Sequence, residues 1–248
     1  MQIEYAKVSA LGDRQDNQDR AAVVVSEGAA LMLVFDGMGG HSDGARAAET
    51  GLKVIQELFM AATQPIFDPQ GFLYMALSAA HDAVVQLGQD VAVDFRPRAT
   101  CAVCLVQEGG SFWAHIGDSR IYQVRDGAVL TRSRDHSHVE VLIQEGAITE
   151  EEAQDHPMRN FVECCIGGDA PVPDMSITPQ KRLQHGDVLL ACSDGLWSGL
   201  SDGDMAEIGL PGKNNLVENL KSLSIKALEI NAPYSDNTTG TALRWLGI

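Results

Sequence analysis

Four aspartates stand where apolar, strand-like runs end or begin. The run 31–35 leads into Asp36-Gly37, 113–116 into Gly117-Asp118, and 188–193 into Asp194-Gly195, while Asp236-Asn237 immediately precedes 238–245. An isolated Asp-Gly is an ordinary turn dipeptide. Four such carboxylates carry more weight, because strand ends can converge at one edge of a sandwich. Converging carboxylates repel one another unless a cation lies between them. An oxygen-only ligand set suits Mg²⁺ or Mn²⁺ rather than zinc or copper. Spacing alone leaves the convergence itself open.

Two neighbouring segments add to this. In Asp36-Gly37-Met38-Gly39-Gly40-His41, three glycines in four positions bring backbone close to something. A striped helix follows, so its N-terminus directs positive dipole toward the same region. Arg14-Gln15-Asp16-Asn17-Gln18-Asp19 follows the first strand-like run, and arginine is suited to forked recognition of phosphate oxygens. Other phosphate and ester chemistries do not fit. No cysteine has an arginine six residues on, Gly212-Lys213 is followed by Asn214 rather than Ser or Thr, and Ser193 lacks a glycine two residues before it.

The elements that must position these groups are legible from periodicity. Strand-like runs occupy 3–10, 21–26 and 30–35. Helical stripes follow at Ala48, Leu52, Ile55 and Phe59, then at Leu73, Leu77, Ala80, Val84 and Leu87. A meander covers 99–106, 111–116, 121–124 and 128–131, with glycine-bearing turns at Glu108-Gly109-Gly110 and Asp126-Gly127. Residues 137–155 read as helical, with a capping box from Thr149 and a stop at Pro157. A strand at 188–193, a striped helix at 215–230 and a strand at 238–245 complete the chain. Hairpin-linked strands with one-sided helices predict an α+β protein: two packed antiparallel sheets flanked by helices, in one domain spanning 1–248.

Composition bounds the function. The 248 residues carry 18 Lys and Arg against 34 Asp and Glu, a formal charge of −16. That disfavours nucleic acid and anionic membranes as partners. The longest strictly apolar run, 29–35, is far short of the roughly 20 residues of a membrane span. The opening Met-Gln-Ile-Glu-Tyr lacks the basic and apolar regions of a signal peptide, so a cytoplasmic location is expected. Five cysteines argue against a disulfide framework, and Cys101 and Cys104 would face opposite sides of a strand instead of sharing a metal.

Taken together, the motifs resemble the metal-dependent (PPM, type 2C) serine/threonine protein phosphatases in their bacterial form. The matching pieces are Arg14-x-x-Asn17-x-Asp19, the segment 35–41, Gly117-Asp118-Ser119-Arg120-Ile121-Tyr122, Arg134-Asp135-His136-Ser137, His156-Pro157 within 146–160, Ser193-Asp194-Gly195-Leu196-Trp197 and Asp236-Asn237-Thr238-Thr239. They occur in family order and cover nearly the whole chain. The resemblance implies a four-layer αββα sandwich. It implies that Asp36 bridges two Mn²⁺ or Mg²⁺ ions, that Gly37 lends its carbonyl to the second, and that Asp194 and Asp236 complete the first. Asp118 with Asp194 would hold a third ion, Arg14 would clamp the substrate phosphate, and Asp19 would orient ion-bound water. Hydroxide bridging the ions would then attack the phosphoserine or phosphothreonine phosphorus in line, without a phosphoenzyme.

Two departures stand out. The position of the proton-donating histidine of animal-type members is Met38 here, so the candidate donor is His41 or a metal-bound water. Gln18 stands where many members have an acidic residue. His136 is expected to tie loops together, His115 to pack, and a flap subregion at about 138–160 to lie beside the site. The resemblance implies phosphoproteins as partners, including a bacterial serine/threonine kinase or its substrates, and a monomeric enzyme. The rival reading is a catalytically silent phosphatase-fold binding or signalling module. Such a copy should have lost its metal carboxylates, and this chain retains them.

Overall fold

The computed structural model describes residues 1–38, 42–210 and 215–247. In chain order the strands are β1 (Gln2–Ala10), β2 (Arg20–Val25), β3 (Ala29–Met38), β4 (Arg98–Gln107), β5 (Gly110–Ile116), β6 (Arg120–Arg125), β7 (Ala128–Arg132), β8 (Ile166–Gly167), β9 (Ser176–Ile177), β10 (Lys181–Arg182), β11 (Val188–Cys192) and β12 (Thr238–Gly247). The helices are α1 (Ser42–Ala61), α2 (Pro69–Leu87), α3 (His138–Gln144), α4 (Glu150–Gln154), α5 (Asp194–Trp197), α6 (Asp202–Ala206) and α7 (Leu216–Asn231). One sheet has the order β1-β12-β11-β6-β7. The other runs β10-β5-β4-β3-β2, with β8 beside β4 and β9 beside β5. The pairings are antiparallel in both.

Alternation along β3 shows how the layers form. Leu31, Leu33 and Phe35 join the core under α1 and α2, with Ile55, Phe59, Leu73 and Leu77. Ala30, Met32 and Val34 face the other way, into the core between the sheets, with Trp113, Leu189 and Leu243. A third core packs Leu190 and Cys192 against α6 and α7 through Met205, Leu216 and Leu220. Strands buried on both faces read as continuous apolar runs, as 29–35 does. Cys101 and Cys104 lie in different cores, as their odd spacing requires, and all five thiols are free.

Local chemistry fixes the ends. Asp68 accepts from the Gly71 amide at 3.0 Å to start α2, and Asn215 accepts from Glu218 at 2.9 Å to start α7. The Thr149–Glu152 capping box forms at α4. Glu108-Gly109 and Asp126-Gly127 close their hairpins with positive φ at both residues of each pair.

Three features differ from the sequence reading. Residues 137–155 are two short helices, α3 and α4, separated at Gly146, whose φ is +72°. The two-residue strands β8 to β10 carry too little sequence to show a period. The strand at Asp36 does not end there: Asp36 pairs with Thr100 and Gly37 with Ala99, so this Asp-Gly lies within β3. Gly37 is required by close approach, since a Cβ there would sit 2.1 Å from the Gly44 carbonyl oxygen.

Candidate active site

The four strand-end aspartates do converge. Asp36, Gly37, Asp118, Asp194 and Asp236 line one cleft of about 430 Å³, together with Arg14, Gln18, Met38 and Asn237. Both sheets contribute. Asp36 comes from β3, and Asp118 from the short link between β5 and β6. Asp194 opens α5 after β11, and Asp236 lies just before β12.

The loop carrying Arg14 is fastened to the segment before β12. Asp13 accepts from the Ser235 hydroxyl at 2.7 Å and from its amide at 3.0 Å. Asn237 accepts from the Gln18 amide at 2.8 Å and donates to the carbonyls of Leu11 and Asp16 at 2.8 and 3.0 Å. Arg14 thereby reaches the cleft rim, its side chain 58% exposed, and donates to Asp236 Oδ2 at 2.6 Å. Asp19 is buried behind the cleft and accepts from the Ser193 hydroxyl at 2.7 Å.

Electrostatically the cleft is strained. Burial pushes the Asp36 carboxyl well above the usual range, and Asp19, Asp194, Asp118 and Asp236 push it further. Burial and then Asp194 raise Asp118. Burial and then Asp236 raise Asp194, which lies within hydrogen-bonding reach of Asp36. Asp19 is pushed up to about 7 by burial, against the hydroxyls of Ser193 and Thr239 that favour its charge. One oxygen each of Asp19 and Asp194 is buried without a hydrogen-bond donor among the described residues. Buried acceptors of this kind, in an all-oxygen set, fit a hard divalent cation. Among the described residues no three acidic, histidine or cysteine side chains close into a finished ion cage. Asp236, half-buried, is engaged by Arg14.

The remaining candidates separate cleanly. His41 lies outside the described residues. Met38 lines the cleft and has no proton to donate. His136 ties loops together as expected: its Nδ1 accepts from the Gly117 amide at 3.4 Å and its Nε2 donates to Ser176 Oγ at 2.8 Å. His115 donates to the Arg134 carbonyl at 2.6 Å, and its ring packs against His136, centroids 4.7 Å apart and planes tilted by 34°. The segment at 138–160 borders the cleft through Asn160, and Val162 just beyond it also lines the wall. Sequence reading gave no role to Val162 or to the indole of Trp197, which donates to the Asp118 carbonyl at 3.0 Å. The only sequence signal for Trp197 was its place directly after Asp194-Gly195-Leu196.

An αββα sandwich whose sheet ends gather aspartates around one cleft is the architecture of a family of phosphatases. Residues 8–223 match the protein phosphatase 2C family, and the chain belongs to it. A putative protein phosphatase 2C-type from Streptococcus pyogenes is 34% identical over 220 residues, 85% of this chain and 87% of that protein. The serine/threonine protein phosphatase PstP of Mycobacterium tuberculosis is 32% identical over 212 residues, 83% of this chain but 38% of PstP. Among solved structures, Stp1 from Staphylococcus aureus superposes with a TM-score of 0.88 at 26% identity, covering 100% of this chain and 96% of that one. The PstP catalytic domain, solved in complex with two manganese ions, superposes with a TM-score of 0.81 at 28% identity, covering 99% of each chain. Among the described residues no helix is long and apolar enough to cross a membrane.

Proposed function

We propose that this chain is a Mn²⁺- or Mg²⁺-dependent protein serine/threonine phosphatase whose reaction takes place in the cleft of Asp36, Asp118, Asp194 and Asp236. The observation that carries this reading is the meeting of those carboxylates from two sheets, with buried acceptor oxygens lacking donors and an arginine at the rim. Asp36, the Gly37 carbonyl, Asp194 and Asp236 would hold two ions, and Asp118 with Asp194 a third. Bound there, divalent ions acidify a coordinated water and polarise phosphoryl oxygens.

The chain's own groups do the rest. Arg14 offers a two-pronged cation at the mouth, suited to two phosphoryl oxygens at once. Its exposed stem lets it turn from Asp236 toward an incoming phosphate. Asp19 accepts from Ser193 through one oxygen, and its second oxygen, which has no donor among the described residues, would orient ion-bound water. His41 is the proposed proton donor to the departing serine or threonine oxygen. Phosphoproteins of a bacterial serine/threonine kinase pathway are the proposed substrates. Five free thiols suit a reducing cytoplasm as the location.

The test is hydrolysis of p-nitrophenyl phosphate and of a phosphothreonine peptide, with and without chelator. EDTA should abolish both, Mn²⁺ should restore both, and Asp194→Asn should lower kcat by several orders of magnitude. Turnover that ignores EDTA, or an Asp194→Asn enzyme near wild-type rate, overturns the mechanism.

A further inference from the structure

We propose that Trp197, braced by Arg120, is a positioning residue that sets Asp118 against Asp194 for ion binding. This rests on the reading above that both aspartates are ion ligands.

The two carboxylates ride on separate elements. Asp118 sits in the link that carries the chain from β5 of one sheet to β6 of the other, and Asp194 opens α5 after β11. Links of this kind hold a side chain loosely unless something fixes their backbone. Trp197 closes the one-turn helix that Asp194 opens; the Ser198 amide donates to the Asp194 carbonyl at 2.7 Å. From that helix the indole Nε1 donates to the Asp118 carbonyl at 3.0 Å. One side chain of Asp194's own helix thus grips the backbone of Asp118.

The indole is itself immobilised. The Arg120 guanidinium carbon lies 3.4 Å from the centre of the Trp197 ring. Arg120 is held flat by a two-point pair with Asp135, at 2.9 and 2.7 Å, and donates to the Tyr122 hydroxyl at 3.2 Å. Both partners of that pair are largely buried, with 16% and 6% of the side chain exposed. Guanidinium stacking on an indole is a favourable cation–π contact, strengthened by desolvation. Because Arg120 is only two residues beyond Asp118, the brace returns to the link it stabilises. Ser119, between them, pairs with Thr100 Oγ1 at 2.7 Å and fixes the other side. The arrangement behaves like the outer partners that orient metal ligands elsewhere.

The test is Mn²⁺ titration of the protein without substrate, by calorimetry and by electron paramagnetic resonance of free Mn²⁺. Asp118→Asn identifies the ion that depends on Asp118, and Asp36→Asn identifies those that depend on Asp36. Trp197→Phe leaves an aromatic ring for Arg120 but removes the indole N–H together with part of the ring system. It should weaken the Asp118-dependent ion about fivefold to tenfold, the worth of one hydrogen bond, and leave the others unchanged. Arg120→Lys keeps the charge but loses the flat stack and two-point hold, and should weaken the same ion. Melting in EDTA checks that each variant is folded. A Trp197→Phe titration that overlays wild type, or that weakens every ion alike, overturns the positioning role. Wild-type protein that takes up no Mn²⁺ overturns the ion reading beneath it, so the two failures are told apart.

Discussion

Neutralising Asp36 should make the ion-free protein more stable while removing the stabilisation that ions provide. At pH 7.5 an unfolded aspartate is ionised. On folding without ions, Asp36 either takes up a proton or keeps a charge amid Asp19, Asp194, Asp118 and Asp236, and burial penalises that charge. Both routes cost free energy. The asparagine of an Asp36→Asn variant would need neither, and its amide can donate to Asp194, which lies within hydrogen-bonding reach of this position. A single stabilising substitution commonly returns about 0.5–2 kcal/mol. At roughly 2–4 °C per kcal/mol for a chain near this size, Asp36→Asn should melt about 1–8 °C above wild type in EDTA. Mn²⁺ at about 100 times its dissociation constant adds about 2.7 kcal/mol to the protein that binds it. Wild type should therefore rise by about 5–11 °C, and the variant should lose most of that gain. Thermal melts followed by circular dichroism, in EDTA and in excess Mn²⁺, measure both quantities. If Asp36→Asn melted at or below wild type in EDTA, the picture of mutually strained carboxylates would be wrong.

Two other perturbations probe separate parts of the structure. On the proposed reading Arg14 meets phosphate on binding, so Arg14→Ala should mainly raise KM for phosphate substrates, with a smaller loss in kcat; steady-state kinetics with an unchanged KM would assign Arg14 elsewhere. His136 is pushed down to about 4 by burial and then by His115, so its neutral form stabilises the fold above the unfolded value near 6.5, and that contribution is lost as pH falls from there toward about 4. After discounting for its partial exposure the loss is on the order of 1–2 kcal/mol, and urea unfolding at pH 7.5 and 4.5 should show that much less pH dependence in His136→Gln than in wild type.

Much of this was legible in the sequence, and the limits have physical causes. The stripes at Ala48 to Phe59, Leu73 to Leu87 and 215–230 gave α1, α2 and α7, because each helix has a single sheet to cover. The apolar runs gave the long strands. Asp36-Gly37 misled locally, since its strand pairing with Thr100 and Ala99 is made by residues more than 60 positions away. The aspartates could be picked out but not brought together, because convergence depends on how two sheets stack. Asn237 and Asp13 look like ordinary loop residues until their hydrogen bonds across the fold are seen. Trp197 stands out in the sequence only as the end of a matching motif, although its indole N–H reaches the Asp118 carbonyl. His41, with Gly39 and Gly40, lies outside the described residues.

The position of the cleft explains why so many of these links are long-range. Asp36 belongs to the sheet covered by α1 and α2, whereas Asp194 and Asp236 flank strands of the other sheet. Hydrogen bonds cross between the two beside the cleft. Ser193, at the end of β11, donates to Asp19 at 2.7 Å, and its oxygen accepts from the Thr239 amide at 3.1 Å. Thr239 pairs with Ser9 at 2.9 Å, and Ser9 accepts from Asn17 at 3.0 Å in the loop that carries Arg14. These bonds fix the relative placement of groups that neither sheet could align by itself. The apolar layer between the sheets, with Met32, Val34, Trp113, Leu189 and Leu243, supplies the rigid spacing they act across. On the proposed reading, ion affinity is therefore a property of the stacked sandwich, and loosening the inter-sheet core should affect the cleft even where no ligand is touched.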